Sequence, residues 1–300
     1  MFKQLKNYGL VLENEPMERH TSMRVGGKVR AYILCENIDN LIKIIKFLKD
    51  KNQKYMIIGR GSNIIFPDYD MDLVVIAINN VLNNLEINNN IITVGAGYSL
   101  QKLAKQVSKL GLSGLEFAGG IPGSIGGSVY MNAGAHLSMI SNVISKVYCL
   151  DENGNKLELT KDKCQFSYRN SIFQKKNLII YQVELKLEQK ERSEVYKKMA
   201  GNLSYREELQ PLDLPSCGSV FKNPENNHAG KLIDEAGLKG IKIGGALVST
   251  KHANFIVNSG NASAENIKEL IIYIKETIKE QFGITLEEEI KILEGIDERK

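Results

Sequence analysis

A chain of 300 residues, 43% hydrophobic and 25% charged, is long enough for two or three domains and has the composition of an ordinary globular protein. The formal net charge of +4 comes from basic residues that are scattered along the chain, which argues against nucleic acid as a partner. No apolar run approaches the roughly 20 residues of a membrane span, and the N-terminal residues lack the apolar core of a signal peptide. We therefore expect a cytoplasmic protein that does not insert into a membrane.

The four cysteines and four histidines do not have the spacing of a metal site. Cys35, Cys149, Cys164 and Cys217 never occur as Cys-x-x-Cys, and no two histidines lie four residues apart. We expect no structural metal and no disulfide, with the cysteines in apolar stretches serving as core residues.

Helix and strand patterns alternate along the first 190 residues. Asp39 is expected to cap a helix that runs through Lys51, and Ser99 begins a second helix that Gly111 stops. Asn153-Gly154 is a hairpin signal between two apolar stretches. Predicted strands cover residues 55–58, 73–78, 91–94, 144–150, 156–159 and 178–187.

A charge-rich helix from Ser193 to about Glu208 leads into a segment that contains Pro211 and Pro215. Because proline breaks regular structure, the main domain boundary is predicted near 190–215. The elements predicted beyond it are a short helix at Ala229–Ala236, a strand at Ala253–Asn258 and an amphipathic helix at Glu265–Phe282 that Gly283 ends.

The most informative stretch is the glycine-rich segment, residues 111–136, which holds eight of the 26 glycines and one acidic residue, Glu116. Glycine reaches positive φ and lets a ligand approach the main chain. From Phe117 to Ala135 no side chain is charged, so an anion bound there would be held by main-chain N–H groups. The apolar residues of the segment argue against a glycine-rich surface loop, and we predict a cofactor site.

Two shorter glycine turns lie upstream, Gly59-Arg60-Gly61 and Gly95-Ala96-Gly97. Neither completes the dinucleotide fingerprint G-x-G-x-x-G, because Ile64 and Leu100 occupy the final positions, and no Walker A sequence is present. Nucleotide-type turns without either standard motif fit a flavin dinucleotide, whose pyrophosphate needs convergent N–H donors and whose ring needs an apolar slot.

Seven blocks of sequence occur in the order typical of one family. They are HTSMRVGG (20–27), GRGSN (59–63), AGGIPGSIGGSVYMNAGA (118–135), YRNS (168–171), CGSVFKNP (217–224), AGKLIDEAGLKG (229–240) and LEEEI (286–290). On these blocks the chain resembles the UDP-N-acetylenolpyruvoylglucosamine reductase (MurB) family over about residues 19–293. The short span from Ser171 to Arg206 is similar to the branch of the family that lacks an inserted tyrosine-bearing loop.

The resemblance implies an α+β fold, with a vanillyl-alcohol-oxidase/PCMH-type FAD-binding region of two lobes plus a separate α+β substrate domain. The lobes are predicted at residues 1–70 and 71–195, and the substrate-binding domain at 196–300. The implied activity is that of an NADPH-dependent oxidoreductase with non-covalent FAD. It reduces the enolpyruvyl group of UDP-N-acetylenolpyruvoylglucosamine to UDP-N-acetylmuramate, in peptidoglycan precursor synthesis. The implied partners are NADPH and this UDP-sugar enolpyruvyl ether.

Reduction of an enolpyruvyl double bond sets chemical requirements that the family's residues meet. Hydride addition leaves carbanion character next to a carboxylate, so a cation must stabilise the enolate and a positioned acid must supply a proton. By resemblance, Arg169 is the catalytic arginine, Ser219 the proton donor and Glu289 the catalytic glutamate. Only the resemblance selects Glu289 from the run of three glutamates at 287–289.

The resemblance also implies two sets of binding residues. The expected substrate-binding residues are Tyr168, Arg206, Lys222 and Asn223. The expected FAD-binding residues are Gly59, Arg60, Gly61, Ser62, Asn63, Gly119, Gly120, Ile121, Pro122, Gly123, Ser124, Gly126, Gly127, Ala133, Gly134 and Ala135.

Two other functions stay open on the sequence. One is an FAD-dependent oxidase of the same fold; oxidases that attach flavin covalently often use a histidine in the first glycine turn, and residues 59–66 contain none. The other is a non-catalytic nucleotide-binding protein, which would have little need for an arginine, a serine and a glutamate at the predicted catalytic positions.

Overall fold

The computed structural model describes residues 2–79 and 81–294. Within these ranges the chain forms nineteen strands and seven α-helices, joined by loops and short 3-10 turns. The helices are α1 (Phe2–Leu5), α2 (Ile38–Asp50), α3 (Leu100–Lys109), α4 (Ile125–Tyr130), α5 (Arg192–Leu209), α6 (Ala229–Glu235) and α7 (Ala264–Phe282). None of these described helices is long and apolar enough to cross a bilayer.

The strands are short and spread along the whole described chain. In chain order they are β1 (Gly9–Pro16), β2 (Lys28–Cys35), β3 (Tyr55–Ile58), β4 (Ile64–Ile65), β5 (Met71–Ala77), β6 (Leu85–Asn88), β7 (Ile91–Gly95), β8 (Leu112–Ser113), β9 (Gly134–Ala135), β10 (Ser138–Met139), β11 (Ile144–Leu150), β12 (Lys156–Thr160), β13 (Ile179–Lys186), β14 (Glu188–Gln189), β15 (Ser216–Ser219), β16 (Lys242–Ile243), β17 (Ala246–Val248), β18 (Phe255–Asn258) and β19 (Lys291–Ile292).

The chain divides into two compact units that are not continuous in sequence. The first unit comprises the chain up to Glu13, Ala31–Arg60 and Asp72–Arg206. The second comprises Asn14–Arg30, Gly61–Met71 and the described chain from Glu207 onward. The three-part division into residues 1–70, 71–195 and 196–300 stays a prediction.

The first unit contains a four-stranded and a five-stranded sheet, two two-stranded sheets (β9 with β10, and β8 with β14) and one hydrophobic core. The four-stranded sheet has the order β1-β2-β5-β3, and its pair β3 and β5 is parallel. The five-stranded sheet has the order β12-β11-β13-β7-β6 and is antiparallel throughout. The buried face of α2 is the predicted one, with Leu41, Ile44, Ile45 and Leu48 in the core.

Local signals in the first unit are mostly confirmed. Ser99 caps α3 as predicted, whereas α2 is capped by Asn37, whose Oδ1 accepts from the Asn40 N–H at 2.9 Å, and not by Asp39. The hairpin predicted at Asn153-Gly154 joins β11 to β12, and Gly154 has a φ of +79°.

The second unit is a four-stranded antiparallel sheet, β15-β18-β17-β16, covered by α6 and α7. A short parallel pair, β19 with β4, joins the end of the described chain to the first glycine turn. In α7 the Ser263 cap and Asn266 form a capping box, and Gly283 ends the helix as predicted. The predicted strand at Ala253–Asn258 begins two residues later, at Phe255.

All four cysteines are buried free thiols, which confirms that they are core residues. Burial raises the pKa of the Cys35, Cys149 and Cys217 thiols to about 11 and that of the Cys164 thiol to about 12. Because the thiolate is the reactive form, these residues are inert at neutral pH.

Two glycines in helices are expected to respond to alanine with opposite sign. Gly283 ends α7 with a φ of +68°, where an alanine side chain is strained, so Gly283→Ala should lower the free energy of unfolding by about 1 kcal/mol. Gly201 lies inside α5 with open space around it, so Gly201→Ala should raise that free energy by about 0.5–1 kcal/mol. Urea denaturation measures both, and a stabilising Gly283→Ala would contradict the left-handed cap.

Candidate functional site

The glycine-rich segment belongs to the first unit, and its backbone is held mainly by its own amides. After a 3-10 turn at Glu116–Ala118 it forms a loop and then α4, which Ser124 caps. Hydrogen bonds within the segment engage the N–H groups of Ile121, Gly123, Gly127 and Ala133. The N–H groups of Ile125 and Gly126 donate to the carbonyl oxygens of Tyr98 and Ala96, at the second glycine turn. Among the described residues, no backbone hydrogen bond uses the N–H groups of Gly119, Gly120 or Ser124. The donors open to an anion are therefore fewer than the sequence suggested.

The start of the first glycine turn contacts this segment. A Cβ on Gly59 would lie 2.2 Å from the Ser124 Oγ, so only glycine permits the approach. Ser124 also forms a β-bridge with Ser99, the cap of α3. Two of the predicted FAD-binding stretches thus meet within one unit.

Helix α5 packs over the two glycines that precede the loop. Met199 contacts Gly119, and a Cβ on Gly120 would lie 2.5 Å from Cδ of Arg206. The Arg206 Nε is buried and has no hydrogen-bond partner among the described residues, and burial lowers the pKa of this guanidinium. Arginine stays charged in proteins, and a buried charge without an acceptor is costly. A bound anion beside Gly120 would supply that acceptor.

Glu116, the one acidic residue of the segment, ties the segment to α5. Its side chain is 4% exposed and accepts from the Ser113 Oγ and the Gly114 N–H, each at 2.7 Å. Two side chains of α5 reach it, with Lys198 Nζ 3.8 Å from its carboxylate and Asn202 Nδ2 3.1 Å from its carbonyl oxygen. Burial by itself would raise the pKa of Glu116, but the hydrogen bonds outweigh it and the pKa is lowered.

Arg169 lies in a tight turn against the far end of the glycine-rich segment. Its φ is +53°, in the left-handed region. Its Nη2 donates to the Gly134 carbonyl oxygen at 2.9 Å, and its guanidinium lies 5.1 Å from the centre of the Tyr168 ring. The structure therefore brings together three residues of the prediction, Tyr168, Arg169 and Gly134.

Three polar side chains that sequence reasoning missed hold this turn in place. Asn132, 1% exposed, donates from Nδ2 to the Ser167 carbonyl oxygen at 2.8 Å and accepts at Oδ1 from the Ser141 N–H at 3.2 Å. Ser171 Oγ and Gln174 Nε2 both donate to the Tyr130 carbonyl oxygen, at 2.7 and 2.9 Å. Gln174 Nε2 also lies 3.0 Å from the carbonyl oxygen of Arg169. The backbone of the arginine turn is thus fastened to residues 130–132.

Ser219 and Glu289 are close in the backbone of the second unit. Ser219 ends β15 opposite Phe255 and follows Gly218, whose φ is +78°. The Glu289 N–H donates to the carbonyl oxygen of Val220, the residue after Ser219, at 2.7 Å. The Glu289 carbonyl oxygen accepts from Asn63 Nδ2 of the GRGSN turn at 3.0 Å. Three of the predicted site residues therefore lie within one backbone network.

Two of the three consecutive glutamates at 287–289 form ion pairs with lysines. Glu287 pairs with Lys222 at 3.2 Å, and Glu288 pairs with Lys275 of α7 at 2.7 Å. These ion pairs give Glu287 and Glu288 structural partners. The catalytic role of Glu289 stays a prediction. Asn223 also has a structural partner, because its Oδ1 accepts from the first N–H of α6, that of Ala229, at 3.1 Å.

Comparison with known proteins places the chain in a family. Residues 210–293 match the model of the UDP-N-acetylenolpyruvoylglucosamine reductase C-terminal domain, and residues 29–160 match that of an FAD binding domain. The chain is 44% identical to the UDP-N-acetylenolpyruvoylglucosamine reductase of Bacillus subtilis (strain 168), over 97% of this chain and 96% of the relative. The chain belongs to the UDP-N-acetylenolpyruvoylglucosamine reductase family.

Further matches agree with this family, MurB. The reductase of Bacillus licheniformis is 47% identical over 95% of this chain and 94% of the relative. The crystal structure of MurB from Thermus caldophilus matches with a TM-score of 0.82 and 30% identity, over 95% of this chain and 99% of that one. The predicted fold class and the prediction of FAD as cofactor are confirmed. The roles of the individual site residues stay predictions.

The lowered pKa of Glu116 makes a prediction about stability and pH. Because the folded pKa lies below the ordinary value of 4.5, this carboxylate stabilises the fold above that pH, and the stabilisation is lost as pH falls through the folded pKa. Glu116→Gln should lower the free energy of unfolding by about 1–3 kcal/mol at neutral pH. Urea denaturation between pH 3 and pH 7 should show the difference from the parent protein shrinking below about pH 4.5.

The control is Glu188→Gln, because Glu188 forms an ion pair with Lys190 on the surface and its side chain is 72% exposed. An exposed pair contributes little, so this variant should unfold like the parent protein at every pH. A Glu116 difference that stayed constant down to pH 3 would show that the charge of this carboxylate does not stabilise the fold.

Proposed function

We propose that this protein is an FAD-dependent reductase that uses NADPH to convert UDP-N-acetylenolpyruvoylglucosamine into UDP-N-acetylmuramate, a peptidoglycan precursor. The observation that carries the proposal is identity of 44–47% with reductases of this name over nearly the full length of both chains. We also propose a cytoplasmic location, because NADPH and nucleotide sugars are made there.

The residues of the first unit fit the charged part of FAD. The loop offers the open N–H groups of Gly119, Gly120 and Ser124, and the stretch from Phe117 to Ala135 contains no carboxylate that would repel a pyrophosphate. Gly59 allows the first turn to approach the same loop. Bound FAD would supply hydride transfer between NADPH and the enolpyruvyl double bond. We propose that the remaining FAD-binding residues of the prediction line the rest of this site.

Arg169 has the properties needed to stabilise negative charge that develops beside the substrate carboxylate. Its turn is fastened by Asn132, Ser171 and Gln174, and its guanidinium is oriented by the bond from Nη2 to the Gly134 carbonyl oxygen. A planar fork of N–H donors matches an enolate and a carboxylate together. We propose that Arg169 contacts the carboxylate end of the enolpyruvyl group.

Ser219 is proposed to donate the proton to the carbon next to the one that receives hydride. A serine hydroxyl is a weak acid, so its alkoxide needs a nearby cation, and Lys222 lies three residues further along the same segment. Glu289, fastened to Val220 through its N–H, is proposed to orient the electrophilic end of the substrate. Tyr168, Arg206, Lys222 and Asn223 are proposed to bind the rest of the sugar nucleotide.

The test separates the two half-reactions under anaerobic conditions. NADPH should bleach the yellow protein, and UDP-N-acetylenolpyruvoylglucosamine should restore the colour. Ser219→Ala should leave bleaching within about twofold and slow the return of colour by about 10²–10⁴-fold, because only the second step needs its proton.

Ser216→Ala is the matched control for this variant, since Ser216 begins the same strand, β15, three residues earlier. It should behave like the parent protein in both steps. Failure of the parent protein to return to yellow with the substrate would overturn the proposed function, and rapid return with oxygen alone would favour an oxidase. An equal loss of both steps in Ser219→Ala would remove Ser219 from the chemistry.

Arg169→Lys should also slow the substrate step, by about 10²–10³-fold, because an ammonium cannot reproduce the planar fork of donors. Stopped-flow measurement of flavin absorbance gives the rate directly. Arg192→Lys, at the exposed start of α5, is the control and should have no effect. Turnover that is unchanged in Arg169→Lys would exclude a role for the guanidinium in catalysis.

A further inference from the structure

Asn254 makes an unusual pair of hydrogen bonds in the second unit. Its side chain is 5% exposed and lies just before β18. Oδ1 accepts from the Phe221 N–H at 2.9 Å, and Nδ2 donates to the Phe221 carbonyl oxygen at 2.8 Å. A side-chain amide carries one acceptor and donors side by side, so Asn254 pairs with Phe221 as the backbone of a neighbouring strand would.

This pair lies where regular strand pairing stops. The pairing of β15 with β18 shifts between Ser216 and Ser219, at Gly218, and β15 ends at Ser219. Beyond that point Asn254 takes over, because its carbonyl oxygen accepts from the Val220 N–H at 2.9 Å and its amide holds Phe221. On the β18 side, the backbone that follows Ser219 is therefore held by Asn254 and not by regular strand pairing.

On its other side the same segment is bound by the glutamate run. The Glu289 N–H donates to the Val220 carbonyl oxygen at 2.7 Å, and the Lys222 N–H donates to the Glu287 carbonyl oxygen at 2.8 Å. Phe221 also forms a β-bridge with Glu288. Residues 220–222 thus lie between Asn254 and the segment 287–289, so a shift of Phe221 would alter the position of Ser219 relative to Glu289.

We propose that Asn254 is a positioning residue for the reductase reaction, which sets the place of Ser219 relative to Glu289 by holding the backbone of Phe221. The kinetic consequence of this proposal rests on the proposed function. The two hydrogen bonds between Asn254 and Phe221 do not depend on that function. Alanine at this position removes both partners, and aspartate keeps the acceptor but places a carboxylate oxygen against the Phe221 carbonyl oxygen.

Asn258 provides a matched control four residues along the same strand. It is also an asparagine, is 8% exposed, and uses its whole amide, with Nδ2 donating to the Met23 carbonyl oxygen at 3.1 Å. Its Oδ1 accepts from the Gly260 and Ala262 N–H groups, at 3.0 and 3.1 Å. Asn258→Ala therefore removes a comparable buried amide without touching residues 219–222.

The first measurement is hydrogen exchange of the Val220 and Phe221 amides in the full-length protein, followed by mass spectrometry of the peptides that contain them. Asn254→Ala should speed exchange of the Phe221 amide at least tenfold, because its acceptor is the Asn254 side chain. The Val220 amide donates to the main-chain carbonyl oxygen of Asn254, which alanine keeps, so it serves as the internal reference. Asn258→Ala should leave both amides unchanged. Unchanged exchange of the Phe221 amide in Asn254→Ala would overturn the proposal whatever the protein's activity.

The second measurement is the pair of anaerobic half-reactions. Asn254→Ala should leave reduction by NADPH within about twofold and slow the substrate step at least tenfold, with kcat changing more than KM. Asn258→Ala should slow neither step selectively. A loss shared equally by both steps, or a selective loss in Asn258→Ala as well, would mean that Asn254 is structural only.

Asn254→Asp adds a readout that a purely structural residue would not give. A neutral carboxyl group has a donor and an acceptor and restores both bonds to Phe221, so the substrate step should recover toward the parent rate as pH falls. The comparison is made with the parent protein at each pH, so that the pH dependence of the parent's own rate is removed from the result. An absence of recovery would overturn the proposal, whereas failure of the parent protein in the substrate step would count against the proposed function alone.

Discussion

One constraint governs the glycine-rich segment: it can bind an anion only through main-chain N–H groups that the fold leaves without a hydrogen bond. Its side chains carry no charge from Phe117 to Ala135, and many of its N–H groups already donate within the segment or to Ala96 and Tyr98. The internal bonds do not compete with ligand binding. They fix the backbone on either side of Gly119, Gly120 and Ser124, and a loop that is already ordered loses little conformational freedom when a ligand binds.

A related device fixes the predicted catalytic residues, which all lie in turns or at strand ends where regular hydrogen bonding stops. Side-chain amides replace the missing backbone partners, with Asn132 and Gln174 around Arg169, and Asn63 and Asn254 around Glu289 and Phe221. An asparagine or glutamine side chain can satisfy backbone donors and acceptors without adding charge. The turns are thus held in place without further charged groups beside the residues proposed to act in the reaction.

The sequence predicted those features whose causes are local. The amphipathic period and the caps of α3 and α7 act over a few residues, so these helices begin where they were predicted to within one residue. The prediction was less exact where two caps compete over a short distance, as at Asn37 and Asp39. The glycine turns and the turn that contains Arg169 could be located from sequence motifs, because each motif is a continuous run of residues.

The features that could not be predicted join residues far apart in the chain. Gln174 donates to the Tyr130 carbonyl oxygen, and Lys275 forms an ion pair with Glu288. Neither contact follows from the helix or strand periodicity of the sequence. The hairpin from β9 to β10 was also missed, because its turn residues His136 and Leu137 both have positive φ without being glycine or asparagine.

The position of Arg206 explains why the glycine-rich loop can do without charge. A Cβ on Gly120 would lie 2.5 Å from Cδ of Arg206, so the arginine can cover this part of the loop because position 120 has no side chain. Placing the guanidinium on α5 brings a cation to the loop from outside, over a residue with no side chain of its own. The Nε–H of that guanidinium is buried and has no acceptor among the described residues, and an anion at the loop would supply one. Glu116 contacts Lys198 and Asn202 of the same helix. These contacts hold α5, which carries Arg206, against the glycine-rich segment.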